Sequence, residues 1–140
     1  LEWEILAAAE PWLIAKADSA VKLSESLYEL VKVCYERGPI LRAIFESAPM
    51  DERLEKAWND FVNVFDDTVA ARIIQDQAFG LAPEFEARPV AIALNRMDIG
   101  ILIHHFGRDP RNEIQPVYQA IARIWLNTIY GKETLDTVQG

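Results

Sequence analysis

The stretch PVAIALNRMDIGILIHHFG, Pro89 to Gly107, decides the fold. Its apolar residues recur at helical steps on two sides at once: Ile92, Ile99, Ile103 and Phe106 on one, Ala91, Leu94 and Leu102 on the other. A helix that is apolar nearly all round needs cover on more than one side. In a chain this short it therefore sits centrally or packs against a second copy of the chain. Asn95 and Asp98, one turn apart, share the face of Ala91, Leu94 and Leu102. Buried without a partner, each polar group would cost on the order of 1 to 3 kcal/mol, so the two either bond to backbone and water or face a ligand cavity.

The same periodicity extends outward in both directions. Upstream, Asp51 is placed to cap a long helix that carries Leu54, Trp58, Phe61, Val62, Phe65, Val69 and Ile73 and stops near Gly80. Before it, Leu23, Leu27, Leu30 and Cys34 form an amphipathic stripe capped by Asp18 or Ser19 and ended by Gly38-Pro39, and a short helix runs from Pro39 to Ser47. The opening helix is expected from Leu1 to Ala17, bent at Pro11. Downstream, a final helix starts between Asn112 and Pro116 and ends at Gly131. Val117, Ile121, Trp125 and Ile129 form one stripe on it, and Ala120, Ile124, Asn127 and Thr128 a second with small members. No segment alternates in the manner of a strand, so the fold class is all-α, a bundle of about six helices spanning 1–131, with a polar tail over 132–140 that should fray.

A chain of 140 residues fits one domain with a genuine core. Its net charge of −8 argues against direct binding of nucleic acid, which is held mainly by Lys and Arg on phosphates. Apolar runs are too short to span a bilayer and no signal peptide opens the chain, so a cytoplasmic protein with no membrane partner is expected. Leu1 stands where a methionine would open a complete protein, and the helix starts at once, as in the interior of a longer chain. Cys34, the single cysteine, reads as a buried structural thiol.

Catalytic chemistry is not apparent. His104 and His105 point about a hundred degrees apart on a helix and cannot share one ion, so no metal site is expected, and no cofactor motif occurs. Asp66-Asp67 reads as a solvated pair, because the apolar stripe of that helix points elsewhere. What the residues do supply is a set of large flat side chains: Trp12, Trp58, Phe61, Phe65 and Trp125. These either fill a core or wall a cavity, and a ligand cavity would measure roughly 300 to 1,000 Å³.

Three segments in order, Gly38-Pro39-Ile40-Leu41-Arg42-Ala43, Ala93-Leu94-Asn95-Arg96-Met97-Asp98 and Ile124-Trp125-Leu126-Asn127-Thr128-Ile129-Tyr130-Gly131, with Trp58 on a long helix between the first two, carry a family resemblance. The chain resembles the C-terminal effector domain of TetR-family transcription regulators, and within that family the ethionamide-activation repressors of mycobacteria. The resemblance implies a helical domain that pairs as a homodimer through its last two long helices, around a tunnel for an elongated, mainly apolar small-molecule effector. It implies a repressor whose operator DNA is bound only through an N-terminal helix-turn-helix, absent from this chain.

Carried over position by position, Trp58, Phe61 and Trp125 match aromatic residues of the tunnel and Asn95 matches a ligand-bonding asparagine. Phe65 stands where the relative has tryptophan, and Asp98 where it has a second asparagine. With Leu27 and Leu30 these form the expected ligand-binding set. An ionised Asp98 would repel an acid, so the effector is expected not to be anionic there. The pairing face is expected at Ile99, Ile103 and Phe106 with Ala120, Ile124 and Thr128. Two other readings stand beside this one: a dimerisation module with a filled core, and, most weakly, a small helical enzyme.

Overall fold

The computed structural model describes residues 1–131. Within them the chain forms helices α1 (Glu2–Leu13), α2 (Ser19–Glu36), α3 (Gly38–Ser47), a 3-10 turn (Ala48–Met50), α4 (Glu52–Ala78), α5 (Ala87–Phe106) and α6 (Ile114–Tyr130). No strand occurs among the described residues. The expected tail over 132–140 lies outside them. Helix α2 is the hub, packed along α1 on one side and against α6 and α5 on others, while α4 lies along α5. The core that results draws on Leu23, Leu27 and Val31 of α2, Ile73 of α4, Phe106 of α5 and Ile121 of α6.

Helix boundaries follow local chemistry. Asp51 caps α4 as expected, its carboxylate accepting from Arg53 N and Leu54 N. Helix α6 ends at Gly131 in the left-handed region, φ 67°, where glycine carries no Cβ penalty. Two expectations are corrected at the α1–α2 corner. Helix α1 stops at Leu13, short of Ala17, because the guanidinium of Arg72 on α4 takes the carbonyls of Leu13 and Ala15 at 3.5 and 2.6 Å. Asp18 occupies the N-cap position of α2 in a left-handed conformation and makes no side-chain cap bond, while the Ser19 hydroxyl accepts from Arg72 Nη2 at 2.7 Å. Helix α5 begins two residues before Pro89, at Ala87, since first-turn residues have no intrahelical N–H bond for proline to remove.

Gly38 has a second role beside ending α2. A Cβ at this position would lie 2.0 Å from the carbonyl oxygen of Phe106, so only glycine lets the start of α3 meet the end of α5. Phe106 itself is fully buried, edge-on to Tyr35 at 5.3 Å between ring centroids. The expectation that it lies on a pairing surface is therefore wrong: the last turn of α5 is covered by α2 and α3 of the same chain.

Candidate functional site

The aromatic face of α4 turns inward against α1, α2 and α5. Trp58, Phe61 and Phe65 follow one another along it at centroid distances of 6.0 and 6.1 Å. They wall a cavity of about 50 Å³ with Leu30 and Cys34 of α2, Asn95 and Asp98 of α5, and Ile5 of α1. Ile5, Leu30 and Phe65 also border a second space of about 20 Å³, enclosed by Trp12, Leu27 and Trp125. On the opposite side, Trp58, Val62 and Ile99 separate the first cavity from an open groove of about 430 Å³ between the α3 end, α4 and α5, lined by Phe45, Pro49 and Arg96. Adjoining spaces thus share lining residues, Ile5, Leu30 and Phe65 between the inner two and Trp58, Val62 and Ile99 between the first and the groove.

The polar groups along these spaces differ from expectation in three respects. Asn95 borders the first cavity, and its Nδ2 donates one of its two hydrogens within the protein, to Asp66 Oδ1 at 2.8 Å. Asp66 is completely buried and also receives the two guanidinium nitrogens of Arg96 at 3.2 and 3.0 Å; the reading of Asp66-Asp67 as a solvated pair holds only for Asp67, an exposed partner of Arg88. The apolar stripe of α4 is wider than its aromatic members suggest and includes position 66, where Asn95 and Arg96 compensate the carboxylate. Asp98, finally, accepts from the Trp125 indole at 2.9 Å through Oδ1, and its Oδ2 has no hydrogen-bond partner. Burial pushes its carboxyl up to about 8, against the smaller opposing effect of the indole, so Asp98 is mostly neutral at pH 7. The expected repulsion of an acid needs an ionised Asp98, a form that burial disfavours.

Trp125 stands edge-on to Trp12 at 6.2 Å and borders the second space, with Leu27; Leu30 borders both. Trp58 and Trp125 therefore do not meet, because Phe65 and Leu30 lie between their cavities. Cys34 is buried beside Asp98, and desolvation pushes its thiol up to about 12, with the Asp98 and Glu4 carboxylates acting in the same direction.

A buried polar chain missed in the sequence adjoins the second space. Trp12 Nε1 donates to the Tyr130 hydroxyl at 2.7 Å, which donates to Asp76 Oδ2 at 2.5 Å. Arg72 Nε reaches the same oxygen at 3.3 Å, and Arg72 Nη2 lies 3.0 Å from Asp76 Oδ1 without hydrogen-bond geometry. Burial and the adjacent Asp76 carboxylate push the Tyr130 phenol above its ordinary range. The available signal was an i, i+4 Arg72–Asp76 pair interleaved with Val69 and Ile73.

Of the expected pairing residues, Ala120, Ile124 and Thr128 are exposed along α6, while Ile99 and Ile103 are partly buried. The outward stripe of α5 is instead Ala93, Arg96, Gly100 and His104, at steps of three, four and four. An apolar pattern on all sides hid this stripe from periodicity alone.

The described residues thus form an all-helical domain with small apolar spaces inside it and a few buried polar groups beside them. The family model described as "Transcriptional regulator EthR, C-terminal domain" matches residues 23–131, most of the chain. The chain belongs to that family, the C-terminal domains of TetR-type regulators of this kind. No curated protein matches it. Among the described residues no helix is long and apolar enough to cross a membrane.

Proposed function

We propose that this domain senses a small, elongated, mainly apolar molecule and pairs with a second copy through α5 and α6, in a cytoplasmic repressor whose operator-binding head lies outside this chain. The observation that carries the reading is the run of adjoining spaces from the Phe45–Arg96 groove to Trp125, each sharing lining residues with the next. The groove has the volume of a small-molecule site; the two inner spaces are far smaller and would widen as a ligand displaced Trp58 or Phe65.

Helix α1 supplies the link from binding to response. Ile5 borders both inner spaces, and Ala9 and Trp12 border the second. A ligand that fills these spaces favours the arrangement in which α1 stands further from α4, and an effector shifts an equilibrium by its differential affinity for the two states. Since α1 leads toward the operator-binding head, its displacement would change the separation of two heads in a dimer.

The small enclosed volume favours a second reading, a pairing module with a filled core. Native mass spectrometry of the purified domain, followed by thermal-shift screening with linear amides, esters and ketones, separates the two. Saturation by a ligand at a hundred times its Kd stabilises by about 2.7 kcal/mol, about 9 °C for a chain of this length. A flat screen, with no co-purifying mass, would leave the pairing module.

A further inference from the structure

Of the three adjoining spaces, the open groove between the α3 end, α4 and α5 alone has both a cationic and an anionic side chain in its lining, Arg96 and Glu55. The two are not equivalent. Arg96 gives both Nη atoms to the buried carboxylate of Asp66, at 3.2 and 3.0 Å, so its charge is met within the protein. Glu55 is exposed and forms no ion pair among the described residues. It shares one face of α4 with Trp58, Asn59 and Val62, at helical steps of three and four, and α3 adds the ring of Phe45 to the same lining. We propose that this groove seats an ammonium head of the effector, against Glu55 and the rings of Phe45 and Trp58, while the apolar chain of the ligand passes Val62 and Ile99 into the first cavity.

The proposal rests on the sensor reading and specifies the ligand's outer end. A charged head cannot follow its chain inward, because the walls of the two inner spaces are almost wholly apolar and offer an ion nothing in exchange for its water. It stays in the groove, and the lining selects its sign. An anion would have to draw Arg96 off Asp66, leaving a fully buried carboxylate with Asn95 as its remaining partner, a change that costs far more than one exposed ion pair returns. A cation needs no such rearrangement: it meets an unpaired carboxylate and two aromatic rings, the combination that recognises quaternary ammonium groups. The net charge of −8 on the chain draws cations toward it as well.

Octyltrimethylammonium and N,N-dimethyloctylamine N-oxide carry heads of similar size on one chain; the first is a cation and the second has no net charge at neutral pH. Their affinities for the domain would be measured by calorimetry at pH 7, below the concentrations at which they form micelles. The wild type should bind the cation about tenfold more tightly than the N-oxide. Glu55→Gln, and Phe45→Leu, which keeps an apolar wall without a ring, should each weaken the cation about fivefold and leave the N-oxide unchanged. Glu55 also stands in the first turn of α4, where a carboxylate favours the helix, so the comparison is between two ligands on one variant and a change in stability does not mimic it. Equal affinity for the two heads, or equal losses for both in the variants, would overturn the ammonium seat and leave the sensor reading standing. Tighter binding of octanesulfonate than of the cation would overturn it too, by showing that Arg96 leaves Asp66 for a ligand. If none of these probes binds, the ammonium seat falls, and the sensor reading falls with it only if the amides, esters and ketones are silent as well.

Discussion

Replacing Tyr130 by phenylalanine removes one oxygen from the centre of the buried chain that ties α1, α4 and α6. The Trp12 indole, which donates to that oxygen at 2.7 Å, would be left buried without an acceptor, a loss of about 1 to 3 kcal/mol. Asp76 would lose the donor at 2.5 Å, and hydrogen bonds to charged groups contribute about 1.5 to 3 kcal/mol. Arg72 still faces the carboxylate, which limits the combined loss to about 3 kcal/mol. A chain of 140 residues unfolds with an entropy near 0.3 kcal/mol per kelvin, so the melting temperature should fall by about 10 °C. Calorimetric melts of wild type and Tyr130→Phe at equal protein concentration measure this, with the exposed Tyr28→Phe as a control expected to move by no more than about 2 °C. A drop under about 3 °C would show that the chain from Trp12 to Asp76 does not hold these helices together.

Asp98 makes stability depend on pH in a definite sense: its folded value, about 8, lies above the unfolded 3.8, so its contribution is complete below about pH 4 and is lost progressively up to about pH 8. Urea midpoints of Asp98→Asn should therefore gain on those of the wild type across this window, and a difference constant with pH would contradict the assignment. Gly38→Ala puts a Cβ 2.0 Å from the Phe106 carbonyl oxygen and should cost about 2 to 3 kcal/mol in chemical denaturation; an unchanged midpoint would mean that α3 and α5 separate freely. Ile124→Glu, on the exposed face of α6, should convert a dimer to a monomer in light scattering, and a variant that remains dimeric would move the pairing surface elsewhere.

Much of the fold was legible because its signals are local. The Asp51 cap, the stop at Gly38-Pro39 and the end at Gly131 each depend on residues within one turn of the boundary. What was not legible depends on partners distant in the chain. Nothing near Gly38 says that Phe106 closes on it, and nothing near Leu13 says that Arg72 will take its carbonyl. Asp66 is the clearest case: beside Asp67 it resembles any surface pair, and its burial becomes intelligible only when Asn95 and Arg96 arrive from α5. The aromatic residues of α4 were read as one set with Trp125, whereas Phe65 and Leu30 divide them into two spaces.

The corner between α1 and α2 is gripped through main-chain oxygens. Arg72 holds the carbonyls of Leu13 and Ala15, and every amino acid carries such an oxygen, so the side chains at those two positions are not what the guanidinium recognises. Their spacing along the chain is. The contacts of Arg72 with Leu13 and Ala15 therefore constrain the length of the corner more than the side chains at those two positions, while Arg72, with Ser19 and Asp76 about it, has little room to vary.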